Sequence, residues 1–147
     1  IHDNVIPPEA PKKSTDHPLI RALFRALGPA LFGQWETDAL RDIPISYRAS
    51  SIVLATGGGV CDHSDSMEVL TSYYHVLYLR HDPVVLYQRA VRRGVPAFLD
   101  QDRPQEHFLE IARRRDALYA RSADLIIDVA GLSPKDAVAR VITHHTG

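Results

Sequence analysis

Disulfides, long apolar runs and a strong net charge are all missing from this sequence. One cysteine, Cys61, in 147 residues excludes an intrachain disulfide framework and suits a reducing cytoplasm, the expected location. The apolar runs are far too short to span a bilayer, and nothing reads as a signal peptide, so no membrane partner is expected. A net charge of −1 supplies no field for nucleic acid. The eight histidines are scattered, and no metal site is expected. A monomer is expected. Neither the spaced glycines of a dinucleotide-binding turn nor the glycine-rich loop with lysine that cradles phosphate occurs.

Length and composition fit one soluble α/β domain. The stretch "VIPPEAPKKST" at 5–15 has three prolines and no period, and reads as a loop. "DHPLIRALFRALG" then reads as a helix capped by Asp16 and closed by Gly28, with Leu19, Ile20, Leu23, Phe24 and Leu27 on one stripe. Pro29 restarts a helix with Leu31, Phe32, Trp35 and Ala39 inward, and Pro44 is expected to end it. Beyond it the texture changes. Ile52 to Ala55, His75 to Arg80 and Leu125 to Val129 read as buried parallel strands. Helices are expected at 65–74, at 83–93 with Asp82 as cap, from about 104 to 120, and from Ser133-Pro134, where Ser133 and Asp136 form a capping-box pattern. This alternation predicts a three-layer parallel sheet with helices on both faces.

"SIVLATGGGVCD" (51–62) ends the first of these strands in three glycines, Gly57, Gly58 and Gly59. A tight turn explains one or two. Three bare positions also let backbone N–H groups line a surface that an anion or hydroxyls approach, at the strand end where open α/β sheets bind ligands. Arg113, Arg114 and Arg115 stand together in the long helix, and consecutive helical positions fan out, so one must leave the solvated face. Arg92 and Arg114 are expected to stay solvated. Arg115, followed by the apolar anchor Ala117-Leu118-Tyr119, is the candidate clamp for a carboxylate or phosphate.

With these residues assembled, the chain resembles the shikimate kinases. The resemblance is carried by "VLATGGGV", "VLYLRHDPVVLYQRAVRR" and "RRRDALYARSADLIIDVAGLSP", and runs from about Phe32 to the end. It implies a P-loop nucleoside-monophosphate-kinase-like fold. The implied reaction is transfer of the ATP γ-phosphoryl group, with Mg²⁺, to the 3-hydroxyl of shikimate in aromatic amino acid biosynthesis. It also implies residue roles. Gly57, Gly58 and Gly59 would contact shikimate and Arg115 would grip its carboxylate. Asp3 would bond the ring hydroxyls and act as base, and Arg93 and Pro134 would lie near the adenine.

The sequence also departs from that family. The N-terminal strand and glycine-rich phosphate loop are absent, and "PKKST" lacks the strand and glycines that would make it one. Residues 1–147 therefore read as a single, N-terminally incomplete domain, with the loop expected upstream of Ile1. Gly33 stands where a second substrate-binding arginine is expected. The lid is short, and Arg103 is the nearest substitute for its catalytic arginine. The parent is expected to be an ATP-dependent shikimate phosphotransferase, and this chain by itself to be inactive. The alternatives are an inactive binding or regulatory domain that kept the acid pocket, and a small-metabolite kinase of altered substrate.

Overall fold

The computed structural model describes residues 18–46, 52–92, 94–96 and 98–145. Helix α1 (Pro18–Ser46) carries a kink at Gly28, whose φ of 74° and ψ of 166° separate two helical segments. Pro44 does not end the second segment, which runs on to Ser46. A proline removes the N–H that would bond the carbonyl four residues back. Here that carbonyl belongs to Leu40, and the Tyr74 hydroxyl donates to it at 2.7 Å. The missing backbone bond is thus replaced from another element. Tyr74→Phe should leave the carbonyl without that donor and cost about 1 kcal/mol in urea unfolding; a neutral variant would refute this account.

The inward face of this segment also differs from the expected one. Gly33, Thr37 and Leu40 are buried, whereas Leu31 is 43% and Trp35 53% exposed, and Ala39 is exposed too. Small residues let α1 approach α2 (Ser64–Tyr73) closely, and the fully buried Ser66 shares a 2.6 Å hydrogen bond with Thr37. Leu40 then joins Val60, Val69 and Leu70 in the core, with Met67, Tyr74, Val76 and Tyr119 packed around them.

Strands β1 (Leu77–Arg80) and β2 (Leu125–Asp128) pair in parallel, Leu77 opposite Leu125 and Arg80 opposite Asp128. Between them lie α3 (Pro83–Ala90) and α4 (Pro104–Ser122), and α5 (Pro134–His145) follows β2. The expected caps form. The Asp82 carboxylate accepts from the N–H groups of Val84 and Val85 at 2.8 and 3.1 Å. The Ser133 hydroxyl donates to the Asp136 carboxylate at 2.6 Å, and the Asp136 N–H returns a bond at 3.2 Å. Helix α3 stops at Ala90, short of the expected 93, near Gly94 with its φ of 102°.

One expected strand is not formed. Residues 52–56 make no ladder, and Val53 is fully exposed. A central parallel strand needs a hydrogen-bonded neighbour at its edge and cover on its faces. Among the described residues β1 and β2 pair only with each other, so the apolar run has no partner to make it a strand.

Candidate functional site

The glycine turn leads from residues 52–56 into a 3₁₀ turn, Val60–Asp62, anchored by the buried Val60 and Cys61. Its backbone does not need glycine for conformational reasons. Among the described residues the positive-φ glycines are Gly28, Gly94 and Gly131, and Gly59 has φ −97°. What the bare positions permit is approach. A methyl at Gly59 would meet Arg115 Nη2 at 3.4 Å, one at Gly58 would lie 3.9 Å from Arg115 Nη1, and one at Gly57 would lie 3.3 Å from a Glu36 carboxylate oxygen. The guanidinium of Arg115 therefore lies along the glycine turn. Arg115 is also the arginine of the triplet that leaves the solvated face, with its side chain 27% exposed against 62% for Arg114.

Beside this pair a cavity of about 640 Å³ opens, reached by Gly58, Arg115 and Arg113 and floored by Leu86, Phe108 and Ile111. Its rim includes Arg80 and Asp128, the last residues of β1 and β2. That is the carboxyl edge of the sheet, where open α/β folds bind ligands. Tyr78 and Asp116 close one wall, with the phenol donating to the carboxylate at 2.9 Å. Burial, and then that carboxylate, push the Tyr78 phenol up to about 12. It therefore stays protonated and serves as a fixed donor, stacked on Tyr119 with ring centroids 5.1 Å apart.

Asp62 belongs to no motif in the sequence, yet it is the residue that engages Arg115. Arg115 donates from Nε at 3.2 Å and Nη2 at 2.8 Å to one Asp62 oxygen, and Arg114 Nη2 donates to the other at 2.9 Å. Burial pushes the Asp62 carboxyl up. The hydrogen bonds and charges of Arg115 and Arg114 outweigh that and hold it below its ordinary range. Its sequence signal was weak: one acidic residue three positions past the glycines, with its partners some fifty residues away.

The structure also explains Gly33. It is buried, and any side chain there would run into the His63 ring. His63, just before α2, occupies the space that an arginine at this position would need. Glu36, one turn on, faces the glycine turn, and burial raises its carboxyl while His63 opposes the rise.

Arg103 and Pro134 are not brought to this cluster. Arg103 precedes the first turn of α4 and pairs with Glu106 at 3.3 Å, both exposed. It sits at the cap of α4, twelve positions before Arg115, about 18 Å along the helix at 1.5 Å per residue, and lines a separate hollow with Asp100 and His107. Pro134 is exposed at the start of α5. Asp3 and Arg93 lie outside the described residues. No helix among the described residues is long and apolar enough to cross a membrane.

A family model for shikimate kinase matches residues 13–146. The chain belongs to the shikimate kinase family. A shikimate kinase of Nitrosomonas europaea is 32% identical over 130 residues, covering 84% of this chain and 57% of that protein. One of Thermodesulfovibrio yellowstonii is 28% identical, covering 86% of this chain and 70% of the relative. The chain thus spans between half and three-quarters of the length of these relatives. Among solved structures, a shikimate kinase from Acinetobacter baumannii in complex with shikimate superposes with a TM-score of 0.73 at 26% identity, over 86% of this chain and 69% of that one. The fold is that of the shikimate kinases, a P-loop kinase fold, and the parallel β1–β2 pair and its helices are part of it.

Proposed function

We propose that this chain carries the acid-binding part of a shikimate kinase. The parent activity is transfer of the ATP γ-phosphoryl group to the 3-hydroxyl of shikimate. The observation that supports this reading most is the Arg115 guanidinium lying against Gly58 and Gly59 at the mouth of the 640 Å³ cavity. A guanidinium takes a carboxylate, and bare backbone takes ring hydroxyls. Asp3 as base, Arg103 as lid residue and Arg93 and Pro134 near the adenine belong to the same proposal. So do a single monomeric domain and a cytoplasmic location.

The phosphates of ATP and the Mg²⁺ have no cradle among the described residues. None of these forms a glycine-rich loop ending in lysine and a hydroxyl, and the lysine among them is Lys135, exposed in the first turn of α5. Phosphoryl transfer rests on positioning and charge neutralisation, and the groups that would position and neutralise the phosphates are not among these side chains. A second reading, a small-metabolite kinase or binding domain for a different hydroxy acid, is favoured by His63 standing over Gly33.

Gly58→Ala tests the acid site. The added methyl meets the protein at an ordinary 3.9 Å and needs no positive φ, so the melting temperature should stay within a few degrees of the parent. Shikimate binding by titration calorimetry should fall by at least about tenfold. Normal binding by this variant would mean that the glycines only turn the chain.

A further inference from the structure

The bonds at Asp62 have a consequence for which ligand the site accepts. Arg114 and Arg115 bring two positive charges to one place, and Asp62 returns one negative charge, bonded to both. The carboxylate takes the Nε–Nη2 edge of Arg115, while Nη1 faces Gly58 and the cavity. Of the other charged side chains that line the cavity, Arg80 and Arg113 stand against Asp82, Asp116 and Asp128, so none adds net positive charge for a dianion. The clamp itself therefore carries one net positive charge and presents the Nη1 side of one guanidinium.

We propose that Asp62 is the specificity-determining residue of this anion site. By holding Arg114 and Arg115 together it leaves a single net positive charge facing the glycine turn, and so selects a monocarboxylate over a dianion. This rests on the reading of the Gly58–Arg115 cavity as the acid site. Asp62 acts through Arg115: it is a positioning residue, and it need not touch the ligand. Its depressed carboxyl keeps the charge in place throughout the neutral range. Without that charge Arg115 and its neighbour Arg114 would put two unanswered positive charges beside the glycine turn, which suits phosphate or a dicarboxylate.

Asp62→Asn separates charge from shape, because the amide oxygen still accepts from Arg115 while the negative charge is gone. The full chain is titrated at constant ionic strength with shikimate, a monocarboxylate, and with sulfate, a dianion. The parent should bind shikimate more tightly than sulfate. Asp62→Asn should shift the ratio of the two dissociation constants toward sulfate by at least about tenfold, as expected for one unit of charge at contact distance. An unchanged ratio, with both ligands still lost in Arg115→Ala, would overturn the proposal and leave the acid site standing. Failure of Arg115→Ala to affect either ligand would instead remove the acid site itself. A second measurement needs no variant. The ¹⁵N-labelled Arg115 Nε–H of the parent should stay protected from exchange when shikimate is added, because Asp62 keeps that edge. Loss of protection would show the ligand displacing Asp62 and would overturn the proposal.

Discussion

Arg115→Ala should weaken shikimate binding by roughly 30- to 160-fold, about 2–3 kcal/mol, the range of a hydrogen-bonded charge. Arg115→Lys should be nearly as damaging, for a reason the structure makes specific. The guanidinium does two jobs at once: its Nε–Nη2 edge is spent on Asp62, and Nη1 is turned to Gly58. An ammonium is a single point of charge on a flexible stem and cannot serve both directions in fixed geometry. Arg114→Ala, by contrast, removes a side chain that is 62% exposed, but with it one of the two positive charges at Asp62, so the loss should be smaller, about three- to tenfold. Titration calorimetry on the three variants decides the matter. Unchanged affinity in Arg115→Ala, or equal losses at 114 and 115, would refute the assignment.

Leu40→Ala should destabilise the fold by about 2–4 kcal/mol. Leu40 is 4% exposed and packs with Val60, Val69 and Leu70 where α1, α2 and the 3₁₀ turn meet. A cavity there loosens Val60, which anchors the end of the glycine turn, so weaker shikimate binding should accompany the lower melting temperature. The control is Trp35→Ala. Trp35 is the larger side chain and the one expected inward from sequence, but it is 53% exposed. Its loss should cost under about 1 kcal/mol. Urea unfolding of both variants checks the order, and a larger cost at Trp35 than at Leu40 would show that α1 buries its Trp35 face instead.

A small acid–base consequence follows from Asp62. Its folded-state carboxyl is depressed by Arg115 and Arg114. The stability it contributes is therefore present above its ordinary range, and is lost as pH falls through the depressed value. The Arg115 clamp should loosen only in strong acid, well below neutrality.

Features that depend on neighbours in the chain were legible in the sequence. The caps at Asp82 and Ser133–Asp136 form where the pattern placed them, because a cap is satisfied by N–H groups two or three residues on. The β1 and β2 segments, the long α4 helix and the family itself could be read for the same reason: local period, local punctuation and ordered motifs. Even the departure of Arg115 from the solvated face follows from three consecutive arginines on a helix. Tertiary structure decided the rest. The apolar run at 52–55 is not a strand, because a ladder needs a partner that a single segment does not contain. The buried face of α1 is Gly33, Thr37 and Leu40, because the closest helix contact is made by small side chains and a buried hydroxyl pair, which hydrophobicity alone ranks below Trp35. The helix continues past Pro44 because a tyrosine thirty-four residues away from Leu40 supplies the donor that proline lacks. The partner of Arg115 is Asp62, fifty-three positions earlier. Charge pairs of that separation leave no period in a sequence, since only the packing of the 3₁₀ turn against α4 brings the carboxylate within reach of both guanidinium groups.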